Sequence, residues 1–211
     1  MKLYVVKTPK LLKWVFKSKI WNIKTSQKEV FLTFDDGPTP RITDFVLDQL
    51  EKHQAKASFF CVGKNVHEHP QIMERIQKHG HTIANHTYNH YHCYKHSLED
   101  YLHNIELTEN LFEQLSINSK KLFRPPYGRI SPKATRAIQR QGYNIIMWDI
   151  LSADFDLKNS AAKCTKNVIE NIKPGSIVVF HDSVKSYPIL KETLPRVLSH
   201  LNENGYQCST L

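Results

Sequence analysis

Short runs of β-branched and aromatic residues alternate along this chain with longer segments in which apolar residues return at helical spacing. The runs EVFLTF (29–34), ASFFCV (57–62), HTIAN (81–85), KLFR (121–124), YNIIMW (143–148), SIVVF (176–180) and YQCSTL (206–211) have the length and composition of strands. Between them, Ile42, Phe45, Val46 and Leu50 make one helical stripe. Leu98, Tyr101, Leu102, Ile105 and Phe112 make another behind Ser97, with Asp100 placed as in a capping box. Pro132 suits the first turn of a third helix, Pro188 stands near the start of the last, and PGS (174–176) turns the chain into a strand. Seven strands alternating with helices predict an α/β fold with a parallel sheet, either open or closed into a barrel. A length of 211 residues fits one domain, and a compact barrel of fewer than eight units better than a full eightfold one.

The net charge of +9 changes this picture only locally. Residues 1–28 hold eight lysines and no Asp, Glu or Arg, so the chain from Glu29 onward carries 9 − 8 = +1. A nearly neutral body gives no reason to expect nucleic acid as a partner. The boundary predicted is therefore a basic, partly apolar leader (1–28) followed by a catalytic domain (29–211). The leader interleaves its lysines with Leu11, Leu12, Trp14, Val15, Phe16, Ile20 and Trp21, a composition suited to an anionic membrane or envelope surface. The plainer expectation is that these apolar residues pack over the end of the domain while the lysines stay in water, since Pro9 interrupts them and no clean helical stripe emerges. No run is long and apolar enough for a signal-peptide core or a membrane span. Cys61, Cys93, Cys164 and Cys208 lie far apart with no C-x-x-C pair, which predicts reduced, buried thiols.

Chemistry-bearing residues follow the ends of the predicted strands: DDGP (35–38), HTYNH (86–90), RPPYG (124–128), DILSADFD (149–156) and HDS (181–183). In parallel α/β folds this is the face on which active sites are built, so these segments should converge on one mouth. His86 and His90 stand four apart and could grip one ion; one added carboxylate completes a set with positions left open for water and substrate. TFDDGP offers two carboxylates, one of which can bind metal while the other stays free as a base. A turn before a helix would need only one Asp. Arg124 sits in a stretch stiffened by two prolines, where a guanidinium can orient a carboxylate. His181 follows an apolar strand, where it can act as an acid, and a carboxylate such as Asp154 beside it would keep it protonated.

Taken in order, TFDDGP, HTYNH, RPPYG, WDILSADF and VVFHD resemble the five signature motifs of the polysaccharide deacetylases with a NodB-like domain, carbohydrate esterase family 4. The resemblance spans about residues 29–211. It implies a distorted (β/α) barrel of about seven parallel strands that removes acetyl groups from an N-acetylated glycan, such as peptidoglycan or chitin-like N-acetylglucosamine oligomers. It also implies one divalent metal ion, zinc before cobalt or another ion, held by Asp36, His86 and His90. By position, Asp35 would be the general base, Arg124 its orienting partner, and the backbone N–H of Tyr127 an oxyanion donor. His181 would be the general acid, tuned by Asp154, and Pro125, Tyr127, Phe155 and Val179 would line the substrate groove. The resemblance favours a cell-envelope role, with the cytoplasm as the alternative, and the chain is expected to be a monomer.

Two departures bear on the substrate. Leu151 stands where the family's fourth motif commonly has an acidic residue, and Phe155 replaces a tryptophan, keeping an apolar wall but losing an indole N–H. Two rival functions follow: a related amidase or O-acetyl esterase on another substrate, and a non-catalytic glycan- or membrane-binding module. The joint presence of Asp35, Arg124, Asp154 and His181 argues against the module, because binding alone needs no acid and base. Of the histidines between 81 and 96, His81, His92 and His96 are expected to be bystanders at the far strand end or on the rim.

Overall fold

The computed structural model describes residues 4–211. In chain order these comprise α1 (Lys10–Val15), β1 (Glu29–Asp35), α2 (Ile42–Lys52), β2 (Ala57–Cys61), α3 (Gly63–Glu68), α4 (Pro70–Lys78), β3 (Thr82–Asn85), α5 (Leu98–Gln114), β4 (Ser119–Phe123) and α6 (Pro132–Arg140). They continue through β5 (Asn144–Ile145), β6 (Ile150–Leu151), α7 (Ala161–Ile169), β7 (Ile177–His181), α8 (Tyr187–Glu203) and β8 (Gln207–Cys208). Local chemistry sets the helix starts. Ser97, Ser131 and Ser160 each accept a backbone N–H from three residues ahead, capping α5, α6 and α7.

The sheet runs β5-β4-β3-β2-β1-β7-β6, with β8 added beside β1, and every strand pairing is parallel. Seven strands thus curl into the partial barrel expected of the sequence. The central strands β1, β2 and β7 are buried along nearly their whole length, which explains why they read as continuous apolar runs. One large core lies between the sheet and α2, α4 and α8, with Phe34 stacked between Phe59 and Phe180 at centroid distances of 5.2 and 5.8 Å. All four cysteines are buried free thiols.

The outer strands differ from the sequence reading. Of YNIIMW only Asn144–Ile145 pairs in the sheet, and Ile150–Leu151, inside the DILSADFD segment expected to follow a strand end, forms β6 against β7. The cause is that β5 and β6 are the two open edges, and their backbones are shared with the N-terminal segment. Ile20 donates its N–H to Ile145 and accepts from Met147, while Thr8 donates to Asp149 and Val6 accepts from Leu151. The segment therefore crosses from one sheet edge to the other and satisfies groups that would otherwise stand unpaired.

The leader's side chains also depart from expectation. Trp21 is buried, but Leu11, Leu12, Trp14, Val15 and Phe16 remain exposed. Two lysines, by contrast, turn inward: Lys7 reaches the buried carboxylate of Asp149 at 2.5 Å, and Lys13 pairs with its other oxygen. Ser176 adds a hydroxyl donor at 2.7 Å. Buried Asp149 needs cationic partners, and those within reach are the lysines of this segment. Pro9 begins α1 rather than breaking it.

Burial by itself would raise the Asp149 carboxyl, but Lys13, Lys7 and Ser176 outweigh it and hold the group below its ordinary range. Its stabilisation is therefore present above the unfolded carboxylate range and lost as pH falls through the lower, folded value. Asp149→Ala is expected to cost about 2–3 kcal/mol at neutral pH, less than a fully buried pair because both lysines keep some exposure. Urea unfolding at neutral and acid pH measures this, and the difference between variant and parent should shrink in acid.

Candidate active site

Because the strands are parallel, β1, β3, β4 and β7 deliver their C-terminal residues to one end of the sheet. There a groove of about 660 Å³ is lined by Asp35, Asp36, His86, His90, Pro125, Tyr127, Leu151, Phe155, Val179 and His181. Arg124 and Asp154 stand behind this lining, both fully buried. The residues expected to act as ligands, base, acid, orienting partners or groove lining are thus in the groove wall or directly behind it.

Asp36, His86 and His90 each offer a ligand atom, and these atoms lie within 4.8 Å of one another. His90 Nε2 is 3.2 Å and His86 Nε2 3.8 Å from the same Asp36 oxygen. The tautomer of His86 follows from its other nitrogen, since Nδ1 lies 2.7 Å from the carbonyl of Arg124, to which it can only donate. Burial pushes the His86 imidazole down to about 4, against the pull of Asp35, so at neutral pH its Nε2 carries a free lone pair. Burial opposes ionisation of Asp36, but the hydrogen bond to His90 and the neighbouring imidazoles prevail and hold its carboxyl well below the usual range. An anionic oxygen and unprotonated imidazole nitrogen at this spacing fit a divalent metal ion, with coordination positions left toward the groove.

The second carboxylate does different work. Asp35, the last residue of β1, is buried and accepts from Arg124 Nη1 at 2.6 Å. Arg124 leaves few of its donors idle: Nη1 also meets Thr33 Oγ1 at 2.7 Å, Nη2 the Met147 carbonyl at 3.2 Å and Nε the Ile146 carbonyl at 3.3 Å. Its guanidinium lies 4.0 Å from the centroid of Phe60. The two-proline stretch that follows fixes the backbone, and Tyr127 takes φ 60°, the left-handed region, so that its hydroxyl comes 3.2 Å from His90 Nδ1.

His181 ends β7 beside Asp35 in register. Its Nδ1 meets Asp154 Oδ1 at 2.8 Å and its backbone N–H donates to Oδ2 at 2.9 Å. Burial would lower the imidazole, yet Asp154 and the more distant Asp36 and Asp35 raise it to about 9, so it holds its proton at neutral pH. Phe155 packs edge-on to the His181 ring at 5.2 Å, keeping the apolar wall that a tryptophan would supply.

Several contributors escaped the sequence reading. Asp182 is fully buried, accepts from the Gly37 N–H at 3.1 Å and from Thr43 Oγ1 at 2.5 Å, and so ties down the turn that carries Asp36. A side chain at Gly37 would run into that carboxylate. Burial, then the Asp36 charge, push Asp182 up to about 7, partly opposed by Thr43. HDS contained this residue, but nothing in sequence showed that it faces the turn after β1. Tyr4 also lines the groove, edge-on to Phe155 at 5.5 Å and bonded through its hydroxyl to Asp156 and Asn159. Of the other histidines, His81 accepts from the Ala57 N–H at the opposite strand end, His96 stacks on Tyr91 at 3.6 Å, and His92 packs against Tyr127 at 5.3 Å. None of these three is among the clustered ligand atoms.

Comparison with known proteins agrees with this geometry. The family profile for polysaccharide deacetylases matches residues 22–146. A peptidoglycan-N-acetylglucosamine deacetylase of Bacillus cereus is 34% identical over 187 residues, covering 88% of this chain and 68% of that protein. A chitooligosaccharide deacetylase of Azorhizobium caulinodans is 30% identical over 161 residues, 76% of each chain. The crystal structure of a peptidoglycan N-acetylglucosamine deacetylase in complex with an N-oxidanyl-benzamide superposes with a TM-score of 0.88 at 33% identity, covering 97% of this chain and 95% of the other. With this match of profile, sequence and fold, and with the motif residues gathered at one groove, the chain belongs to the polysaccharide deacetylase family.

Proposed function

We propose that the protein hydrolyses the acetamide of N-acetylglucosamine units in a glycan, peptidoglycan or a chitin-like oligomer, releasing acetate and a free amine. The observation that carries this reading is the presence of two separate acid–base pairs, Asp35 with Arg124 and His181 with Asp154, around one Asp–His–His cluster. A binding module has no use for such a division. The names of the relatives support the glycan class, since they act on peptidoglycan and chitooligosaccharides.

Asp36, His86 and His90 would hold one divalent ion, zinc by preference for two imidazoles and a carboxylate. Such an ion supplies Lewis acidity that polarises the acetamide carbonyl and acidifies a water. The protein's own residues then divide the proton work. Asp35, aimed by Arg124, takes a proton from the attacking water. The oxyanion that develops on the carbonyl accepts a hydrogen bond from the Tyr127 backbone N–H, a contact typically worth about 3 kcal/mol. His181 gives its proton to the sugar nitrogen as the carbon–nitrogen bond breaks, and the amine leaves. Pro125, Tyr127, Phe155 and Val179 would hold the sugar ring in the groove.

Elemental analysis and acetate release test the assignment together. Substituting Ala for Asp36, His86 or His90 is expected to abolish both metal content and acetate release from N-acetylglucosamine oligomers and peptidoglycan. If zinc-loaded parent protein leaves both substrates acetylated, the glycan assignment fails.

The His181–Asp154 pair makes a pH prediction. The general acid must be protonated, so kcat/KM should fall as pH rises through the His181 value, about 9. Asp154→Asn removes the anion that holds the proton, and the alkaline limb should move about 1–2 pH units lower. The same raised value means that the pair stabilises the fold fully below the ordinary histidine range, and that this contribution is lost as pH climbs toward 9. A limb unmoved in Asp154→Asn would remove His181 from the role of acid.

A further inference from the structure

The segment that closes the sheet edges carries a second, unrelated feature. α1 is amphipathic in reverse. Its central Lys13 points into the protein, onto buried Asp149, while Leu11, Trp14 and Val15 are 70%, 74% and 55% exposed. Leu12 and Phe16 beside them are exposed at 40% and 41%, and no residue of the helix is buried. A helix that stabilised only its own domain would place these residues the other way round. Single exposed apolar residues are ordinary, but five within six positions form a continuous patch of the kind that marks a contact surface.

The patch is held rigidly. Trp21 donates its indole N–H to the Phe16 carbonyl at 3.1 Å, Thr8 caps the Trp148 carbonyl at 2.8 Å, and Lys7 and Lys13 fix the segment to Asp149. Around it stand exposed Lys10 and Lys17, with Lys19 over the Phe16 ring at 4.6 Å. Residues 1–28 supply no acidic side chain to neutralise these cations.

We propose that this patch seats the protein on an anionic phospholipid surface, with Leu11, Trp14, Val15 and Phe16 in the headgroup region and Lys10, Lys17 and Lys19 against the lipid phosphates. Charge selects this occupant over a second copy of the chain, because two such patches face to face would bring like charges together with no acid between them. A tryptophan at the apex suits an interface that is apolar on one side and wet on the other. No helix among the described residues is long and apolar enough to cross a membrane, and the contact proposed is with the surface. This inference does not depend on the deacetylase reading.

Flotation of the full chain with phosphatidylcholine vesicles, with and without phosphatidylglycerol, tests it. Binding is expected only to the anionic vesicles and should weaken as salt rises. Trp14→Ala is expected to weaken it about tenfold or more, and Lys10→Glu with Lys17→Glu to abolish it. These side chains are exposed, so the thermal midpoint should not move and lost binding will not be lost folding. Three results would overturn the proposal: no binding at low salt, equal binding to neutral vesicles, or binding unchanged in Trp14→Ala. Dimerisation of the lipid-free protein that Trp14→Ala removes would overturn it in favour of a second copy.

Discussion

The guanidinium of Arg124 is the group on which the site is built. It is wholly removed from water, and a buried cation without partners would cost more than most domains can spare. Its partners are therefore obligatory, and they come from three directions: Asp35 and Thr33 on β1, the carbonyls of Ile146 and Met147 beyond β5, and the face of Phe60 on β2. The same residue's carbonyl receives His86 Nδ1. One side chain and its backbone thus set the orientation of the proposed base and the tautomer of a proposed ligand. Removing it would leave Asp35 buried and unpaired as well as loosening His86, so stability and chemistry are coupled here.

Around that anchor the backbone is strained where function needs it. Asp36, Thr87, His90, Tyr127 and Ala153 all have positive φ between 54° and 82° although none is glycine. Each adjoins or belongs to a segment that lines the groove. Such conformations persist only where surrounding bonds over-determine them. Asp182 and Thr43 do this for the turn at Asp36, and Asn85 and Asn104 do it for the loop between His86 and His90 by accepting the N–H groups of Thr87, Tyr88 and Asn89. The polar residues that look incidental in sequence are those that hold the groove backbone in this geometry.

The N-terminal segment ties a third requirement into the same frame. An open seven-stranded curl leaves two edges, and the chain from Val6 to Ile23 bridges them, giving backbone bonds at Ile145, Met147, Asp149, Leu151 and Gly175. Asp149 lies between the edge strands and is neutralised by lysines from that segment. Closing the sheet, burying Asp149, adding Tyr4 to the groove and presenting the apolar face of α1 are consequences of one course of the chain.

Much of this was legible without coordinates. The strands at the centre of the sheet announced themselves because both their faces are buried, and the chemistry announced itself because parallel strands end on one side, so that DDGP, HTYNH, RPPYG and VVFHD had to meet. Sequence order also separated His86 and His90 from His81, His92 and His96. It could not separate the two aspartates by local physics, since Asp35 and Asp36 are neighbours of the same type; only the half-turn at Asp36, which sends one carboxylate to the histidines and leaves the other on Arg124, does that. Nor could it show β6, whose two residues pair through backbone alone, or the reversal of α1, whose lysine is drawn inward by an acid far along the chain. Residue types and spacing determined which groups are present and at which end of the sheet. Tertiary contacts decided which of them are paired, how each is ionised and which apolar residues are left facing water, because these depend on partners that no local pattern encodes.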